Sequence, residues 1–452
     1  MSKIKPGAIQ EVDMCHGPLT LKIIAFTIPL IISRMLQLLF NAADVIVVGR
    51  FAGSESLAAV GSTSSLINLL VNLFVGLSVG ANVIQARAFG LQHQKDIRET
   101  LHTSMLISIF GGVLLMLIGI PLSRYALEWM GSPEDVIDLS TLYLRIYFLG
   151  MPAMMVYNFG AAVLNAAGDT KHPLYYLMAA GVVNVILNLF FVIVCDLGVA
   201  GVAIATVLSQ FLSTFLVLRC LIRSEGSMKL ERKYLKISRD KLTRILKIGL
   251  PAGVQGMVFS LSNIVLQSAI NSFGSATMAG NAAAQSIEGF IYVAMSSFQQ
   301  AALTFTGQNA GAKQWKRVRH TYFLCSVLVA VCGAALSLLA LLFGRELLGI
   351  YTDKPEVIVQ GLIRMQYICT TYALCGLMDV AVGSLRGLGH SAIPMVVSLW
   401  GACGLRILWV ATVFRADHTL NNLYITYPIS WTITLAALVI CLLVVWRRQC
   451  RD

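Results

Sequence analysis

Long apolar runs recur along the whole length of this 452-residue chain. Twelve of these runs reach about 20 residues, which is the length that an α-helix needs to cross the hydrocarbon core of a bilayer. They lack the regular alternation that marks a membrane β-strand. The sequence therefore predicts an all-α integral membrane protein with twelve transmembrane helices. The predicted spans are 19–48, 57–83, 101–120, 137–162, 173–195, 199–222, 245–271, 276–303, 320–343, 357–381, 393–414 and 424–446.

The basic residues indicate an orientation for these spans. With the N-terminus inside, the inner segments and the inner ends of the adjoining spans hold 25 of the 34 Lys and Arg residues, whereas the outer loops hold five and the interiors of the spans four. The cytoplasmic segments of membrane proteins carry such an excess of Lys and Arg. We therefore expect a multi-pass protein of the cell membrane with both termini in the cytoplasm. The net charge of +12 then reflects topology, and we expect no nucleic-acid partner.

The chain also contains one pattern twice. Residues of six successive spans recur after 221 or 222 positions. An even number of spans gives both copies the same orientation, so we predict two parallel six-helix repeats about an axis along the membrane normal. We name these repeats the first lobe (1–222) and the second lobe (245–452), joined by a basic cytoplasmic linker (223–244). The matched pairs include Pro29 and Pro251, Asn41 and Asn263, Gly90 and Gly311, and Gly168 and Gly389.

The first span carries polar residues in its apolar interior. Arg34, Gln37, Asn41 and Asp44 are spaced 3, 4 and 3 residues apart, so they fall within an arc of about 80° on the helix surface. A carboxylate that faces lipid near the bilayer centre costs at least ~2.5 kcal/mol, so this stripe must face other helices or water. Asp44 is either an ion or proton site of a transporter or a structural aspartate bonded to neighbouring helices.

Other spans of the first lobe offer amide and hydroxyl groups that could join this carboxylate. Asn184 and Asn188 lie at i and i+4 on one face of the fifth span, Asn158 lies in the fourth span and Thr206 in the sixth. Oxygen ligands of this kind suit a hard cation, and Asp44 alone could carry a proton. These five residues are the predicted cation- or proton-coupling site, although each amide or hydroxyl could also serve only in helix packing.

The acids of the second lobe stand at different places. Glu288 and Asp379 lie in the eighth and tenth spans, where the first lobe has Leu66 and Asn158, and Arg406 lies in the eleventh span. They are either a structural acid–arginine pairing or part of a substrate site, with the acids as counter-charges for a cationic compound. The predicted substrate or second-lobe site comprises Gln37, Asn41, Glu288, Asp379 and Arg406.

The sequence gives little indication of redox, metalloenzyme or ATP-dependent chemistry. The ten cysteines lie mostly in apolar spans and form no C-x-x-C pattern, and the seven histidines lack the H-E-x-x-H spacing of a metalloenzyme. No ATP-binding fingerprint is present. We therefore expect no catalytic residue, no cofactor, and no metal beyond a sodium ion at Asp44.

Four stretches carry a resemblance that covers nearly the whole chain: GPLTLKIIAFTIPLIISRMLQLLFNAADVIVVGR, the SLAAVGS that follows it, TGQNAGA at 306–312 and GSLRGLGHSAIP at 383–394. The sequence resembles the multidrug and toxic compound extrusion (MATE) family. The resemblance implies antiport of cationic or amphipathic drugs against protons or sodium ions. In prokaryotic members an acid of the first helix is joined by Asn of the fourth, Asn and Asp of the fifth and Thr of the sixth. Asp44, Asn158, Asn184 and Thr206 match that pattern, Asn188 replaces the second acid, and Asp379 is similar to an acid of the tenth helix.

The leading hypothesis is a cation-coupled multidrug efflux antiporter that works as a monomer in the bilayer on small drugs or toxic metabolites. A flippase for a lipid-linked saccharide shares the superfamily fold and is the first alternative. A membrane enzyme is the second, but it would need a cluster of catalytic groups near one interface, which the sequence does not show. Neither the physiological substrate nor the choice between H⁺ and Na⁺ follows from the residues.

Overall fold

The computed structural model describes residues 12–130, 134 and 136–449, and every regular element within them is helical. The predicted cytoplasmic location of the chain ends concerns residues outside these ranges. The α-helices are Leu19–Val47 (α1), Gly53–Gly90 (α2), Gln94–Trp129 (α3), Ile137–Leu149 (α4), Met151–Ala166 (α5), Lys171–Leu189 (α6), Gly198–Arg223 (α7), Arg239–Asn271 (α8), Ser275–Gly311 (α9), Trp315–Leu342 (α10), Gly344–Gly349 (α11), Pro355–Gly387 (α12), Ala392–Ser398 (α13), Leu405–Ala411 (α14), Val413–Ala416 (α15), Leu420–Tyr424 (α16) and Thr426–Gln449 (α17).

Three π-helical segments interrupt or extend the spans at Val48–Ala52, Phe190–Val194 and Leu399–Gly404. Each follows an α-helix directly, so the polypeptide continues through a wider turn. Such segments are rare in helices and are frequent at functional sites. Two short 3₁₀-helices, Gly226–Met228 and Arg232–Tyr234, lie in the linker.

Within the described residues, ten helical spans are long and apolar enough to cross a membrane, and α4 with α5 makes an eleventh if the bent pair is one span. The pair bends by 48° at Gly150, where Pro152 near the start of α5 cannot continue the hydrogen bonding of α4. The remaining predicted span, 276–303, is the continuous helix α9, which is rich in Ser, Asn and Gln and largely buried. The predicted all-helical membrane fold is confirmed.

The backbone repeats itself at the interval that the sequence predicts. Six of the ten positive-φ residues in the described part of the chain form three pairs 221 positions apart, and they lie at the ends of corresponding helices. Glycine adopts this conformation without a steric penalty, which explains its use at four of the six positions. The pairs are Gly53 and Gly274, Gln92 and Lys313, and Gly168 and Gly389.

Two compact units make up the chain, and their boundaries lie inside helices. The first unit comprises Met1–Asp13 and Ile28–Gly253, and the second comprises Met14–Thr27 and Val254–Asp452. α1 therefore begins in the second unit and continues in the first unit from Ile28, the residue before Pro29. α8 begins in the first unit and continues in the second unit after Gly253. This change of unit lies two residues after Pro251, the repeat counterpart of Pro29.

The start of α1 is held firmly within the second unit. The Arg317 guanidinium donates hydrogen bonds to the carbonyls of Met14, Gly17 and His16 at 3.0, 3.0 and 3.1 Å. The ring of Phe26 packs edge to face on Phe305, with the centroids 5.5 Å apart. These contacts tie the beginning of α1 and the segment before it to α9 and α10.

The basic linker packs along α3 within the first unit. Lys241 forms an ion pair with Asp96 in the first turn of α3. The Arg98 guanidinium carbon lies 4.5 Å from the centre of the Tyr234 ring. The Glu231 backbone N–H donates to His102 Nε2 at 3.1 Å. The linker is thus held against α3 of its own unit by these contacts.

Candidate functional site

Asp44 lies in the last turn of α1, immediately before the π-helix Val48–Ala52. Its carboxylate accepts a hydrogen bond from the Asn188 Nδ2 group. The same amide nitrogen lies 3.3 Å from the Asn184 Oδ1 atom, so its two hydrogens serve two acceptors. Asn184 and Asn188 are buried in α6, whereas Asp44 is half-buried. Three of the five predicted coupling residues therefore form one hydrogen-bonded chain.

Close packing of α1 on α6 brings these groups together. A Cβ atom on Gly181 would overlap the ring of Phe40, which lies one turn before Asp44. Beyond the polar residues, the π-helices that follow α1 and α6 contact each other. Val47, Val48 and Val192 then continue the contact as part of one buried apolar cluster. Glycine at position 181 leaves the space that the Phe40 ring occupies, and a larger residue there would force this ring to move.

The Asp44 carboxylate has no ion-pair partner among the described residues. Its charge reaches two phenols of the fourth span, Tyr143 and Tyr147, which stack with their centroids 6.1 Å apart. The Asn188 Oδ1 atom is buried and has no hydrogen-bond partner in the described part of the chain. A carboxylate beside an unused amide oxygen suits either a proton or a hard cation such as Na⁺.

Thr206 and Asn158 are the other two predicted members of this site. The Thr206 hydroxyl donates to the Val202 carbonyl of its own helix at 2.9 Å. Asn158 lies half-buried on α5. Over residues 12–130, 134 and 136–449, no hydrogen bond links either side chain to Asp44. Their role in coupling stays a prediction.

In the second unit Glu288 is bound by Arg364, a pairing that the sequence analysis does not specify. The Arg364 Nε and Nη2 groups donate to the two carboxylate oxygens of Glu288 at 2.9 and 2.7 Å. The Arg364 Nη1 group donates to Asn281 Oδ1 at 2.6 Å. Glu288 and Arg364 are 5% and 3% exposed, so this bidentate pair is sequestered from solvent. Of the two alternatives for Glu288, the observed contacts match the acid–arginine pairing.

Asp379 and Arg386 lie two turns apart on α12, and both are buried. The charge of Asp379 acts on Arg386, whose Nη2 group also donates to Gln255 Oε1 at 2.8 Å. Gln255 donates in turn to Ser398 Oγ at 3.0 Å. Asp379 is thus a buried acid in a polar layer that joins α8, α12 and α13.

The remaining predicted site residues are Gln37, Asn41 and Arg406. Gln37 and Asn41 are exposed on the surface of α1, on the same stripe as Asp44. Arg406 is buried at the start of α14, and its Nε group donates to Ser430 Oγ at 2.9 Å. The structure therefore joins Asp44 with Asn184 and Asn188.

Sequence reasoning missed several polar partners. Tyr143 and Tyr147 beside Asp44 lie at i and i+4 in the fourth span, a spacing that could have indicated a shared face. Asn281 lies seven residues before Glu288, on the same face of α9, so helical spacing could have marked it as well. Arg364 lies 76 residues from Glu288, and no local pattern predicts that pairing.

A family model described as MatE matches residues 29–190 and again residues 251–411. The chain belongs to the MatE family. The two matches begin at 29 and 251, which confirms the repeat at a shift of 222. This MatE chain is 27% identical over 436 residues to a probable multidrug resistance protein, YoeA, of Bacillus subtilis, covering 94% of this chain and 93% of the relative. It is 20% identical over 415 residues to a multidrug export protein, MepA, of Staphylococcus saprophyticus, and this match covers 91% of this chain and 89% of the relative.

A solved structure supports the same assignment of fold. It is described as the outward-facing conformation of a multidrug resistance MATE family transporter of the MOP superfamily. The TM-score is 0.92 at 20% sequence identity, over 98% of this MatE chain and 100% of the other. The predicted family and fold are confirmed, and the chain is a multi-pass membrane protein of a multidrug efflux family.

Proposed function

We propose that this MatE chain is a secondary antiporter that exports cationic or amphipathic compounds in exchange for H⁺ or Na⁺. The observation that carries the proposal is the Asp44 carboxylate, hydrogen-bonded to Asn188 and unpaired with any described cation. A carboxylate within the membrane is energetically costly, so proteins keep one there mainly where it is paired with another group or serves transport. Here the amide can hold the site together while the carboxylate gains and loses one positive charge.

We favour protons over sodium ions as the coupling ion. Asn188 removes the second carboxylate that relatives carry in the fifth helix, so the site offers one formal negative charge. A proton needs one carboxylate, whereas Na⁺ needs several oxygen ligands at once. The residues present would fit Na⁺ only if the Asn188 Oδ1 atom and further oxygens joined Asp44.

The proposal is tested with the purified chain in proteoliposomes. An imposed proton gradient should drive a lipophilic cation across the bilayer, and an imposed sodium gradient at equal pH should not. Movement driven by sodium alone would reverse the choice of ion. Failure of both gradients to move any amphipathic compound, with a lipid-linked saccharide translocated instead, would favour the flippase alternative.

We further propose that Asp379 is a counter-charge for cationic compounds. Its carboxylate is buried on α12, and its charge acts on Arg386 of the same helix, whereas Arg364 binds both oxygens of Glu288. Asp379→Asn should lower the export of a cationic compound about tenfold, the equivalent of about 1.4 kcal/mol, and leave a neutral one unchanged. Initial export rates in proteoliposomes measure this, with the exposed Glu356→Gln as a control. An equal loss for charged and neutral compounds would show that the counter-charge idea is wrong.

The proposed topology places both chain ends and the linker in the cytoplasm. Lys236 in the linker and Lys354 before α12 are both exposed, and the charge bias places them on opposite sides of the membrane. In a chain whose native cysteines are replaced, a membrane-impermeant maleimide added to intact cells should label Lys354→Cys but not Lys236→Cys. The opposite labelling would invert the proposed topology.

A further inference from the structure

Arg406 is a buried cation whose hydrogen bonding is incomplete. Its side chain is 3% exposed, and its Nε group donates to Ser430. Its Nη2 group is buried and has no hydrogen-bond partner among the described residues. An unpaired N–H group on a buried charged side chain is costly, so a structure that keeps one calls for an explanation.

Aromatic rings supply part of the compensation. The Arg406 guanidinium carbon lies 4.4 Å from the centre of the Tyr427 ring and 5.8 Å from that of Trp431. Such contacts stabilise a desolvated cation. They do not neutralise its charge, and they leave the Nη2 group without an acceptor.

The neighbouring charges do not balance Arg406. The Arg364 guanidinium carbon lies 5.5 Å from the centre of the same Tyr427 ring, so two cations share one aromatic side chain. Glu288 gives both carboxylate oxygens to Arg364. No ion pair between described residues includes Arg406, and the like charge of Arg364 acts on it. Among Arg364, Arg406 and Glu288, the positive charges therefore exceed the negative charges by one.

The place of Arg406 in the repeat adds a second observation. At the shift of 221, Arg406 corresponds to Val185, next to Asn184 of the Asp44 site. Both spans contain a π-helical segment close to the polar residue, Phe190–Val194 in one and Leu399–Gly404 in the other. Corresponding places in the two repeats thus hold a carboxylate site in the first unit and an unneutralised guanidinium in the second.

We propose that Arg406 is the centre of an anion site that takes one singly charged group, either a halide ion or the carboxylate of an amphipathic compound. The unused Nη2 group donates to the anion, and a guanidinium fits a carboxylate especially well. Tyr427 and Trp431 give the site an aromatic wall. Because Arg406 is almost fully buried, the anion enters when the eleventh span moves, and the π-helix that ends at Gly404 is the irregular point where it can move.

Binding is tested on the purified full-length chain in detergent, in a gluconate buffer. Bromide and benzoate, titrated separately, should each raise the melting temperature of the chain in a saturable way. Arg406→Gln should weaken the response at least about tenfold, the effect expected for losing a charged hydrogen-bond donor. Arg415→Gln removes an exposed cation nearby and should keep the response.

Equal responses of the Arg406→Gln variant and the original chain would overturn the site, as would no response of the original chain to either anion. If Arg406→Gln does not fold, crystals of the unmodified chain soaked in bromide decide the matter. Anomalous scattering should then show bromide within hydrogen-bond reach of the Arg406 Nη2 atom. A bromide-induced rise in melting temperature with no bromide at that position would also overturn the proposal.

Transport assays distinguish a halide ion from the carboxylate of a transported compound, and this test rests on the proposed antiport. If the anion is a halide, replacing chloride by gluconate should slow export of a lipophilic cation, and Arg406→Gln should abolish that dependence. If it is a cargo carboxylate, chloride should instead inhibit export of a zwitterionic amphipath. Absence of all export would count against the proposed function and leave the binding result standing. Export indifferent to chloride with both compounds would overturn a transport role for Arg406.

Discussion

Asp44→Asn should reach the membrane folded and lose gradient-driven export down to the level of empty liposomes. The asparagine side chain keeps an oxygen that can accept the hydrogen bond from Asn188, so the contact between α1 and α6 survives. Exchanging a charged for a neutral acceptor costs about 1 kcal/mol of stability. The variant loses the one carboxylate of this site, and with it the group that can bind and release a coupling cation.

The measurement is export of a lipophilic cation from proteoliposomes under an imposed proton gradient, with melting temperature as the check on folding. Asp353→Asn removes an exposed carboxylate of the loop before α12 and is the matched control. It should export at the rate of the original chain. Full export against a gradient by Asp44→Asn would refute the assignment of Asp44 as the coupling residue.

Breaking the ion pair of Glu288 and Arg364 should have the largest effect on stability. Glu288→Gln leaves the Arg364 guanidinium buried without a counter-ion, and removing one partner of a buried pair costs about 3–5 kcal/mol. Arg364→Met leaves the carboxylate buried alone and should destabilise the chain by a similar amount. Replacing both residues removes both charges and should recover most of the loss, because uncharged buried groups need no counter-ion.

Thermal unfolding in detergent measures the three variants against Glu356→Gln, an exposed glutamate change that should have little effect. A double variant that loses as much as the sum of the single variants would show that the two charges do not stabilise each other. The same series bears on transport. Since Arg364 binds both oxygens of Glu288, any loss of export in Glu288→Gln should follow the loss of folded protein and affect charged and neutral compounds alike.

The parts of this molecule that could be predicted are those governed by local spacing. Helical periodicity placed Asn184 and Asn188 on one face, and the bilayer constraint required the Asp44 stripe to meet polar partners. The structure brings these three residues together. The repeat interval could be read from matched prolines and glycines because each marks a fixed backbone feature, as the positive φ angles of Gly168 and Gly389 show.

The parts that could not be predicted depend on contacts between distant elements. Arg364 was one of four span arginines, and only the packing of α12 on α9 decides that it binds Glu288. The hydroxyl of Thr206 bonds within its own helix, an alternative that sequence spacing cannot distinguish from a role at Asp44. The handover of α1 and α8 between compact units falls within apolar helices, where composition does not change.

That handover has a consequence for the origin of the chain. The start of α1 belongs to the second unit and the start of α8 belongs to the first, so each repeat supplies a segment that completes the other. A cut in the linker would therefore separate two polypeptides, neither of which contains a whole compact unit. Two copies of a single ancestral repeat would have met the same requirement by exchanging the beginnings of their first helices, as in a domain-swapped dimer. Fusion of two such copies would make this reciprocal exchange permanent within one polypeptide.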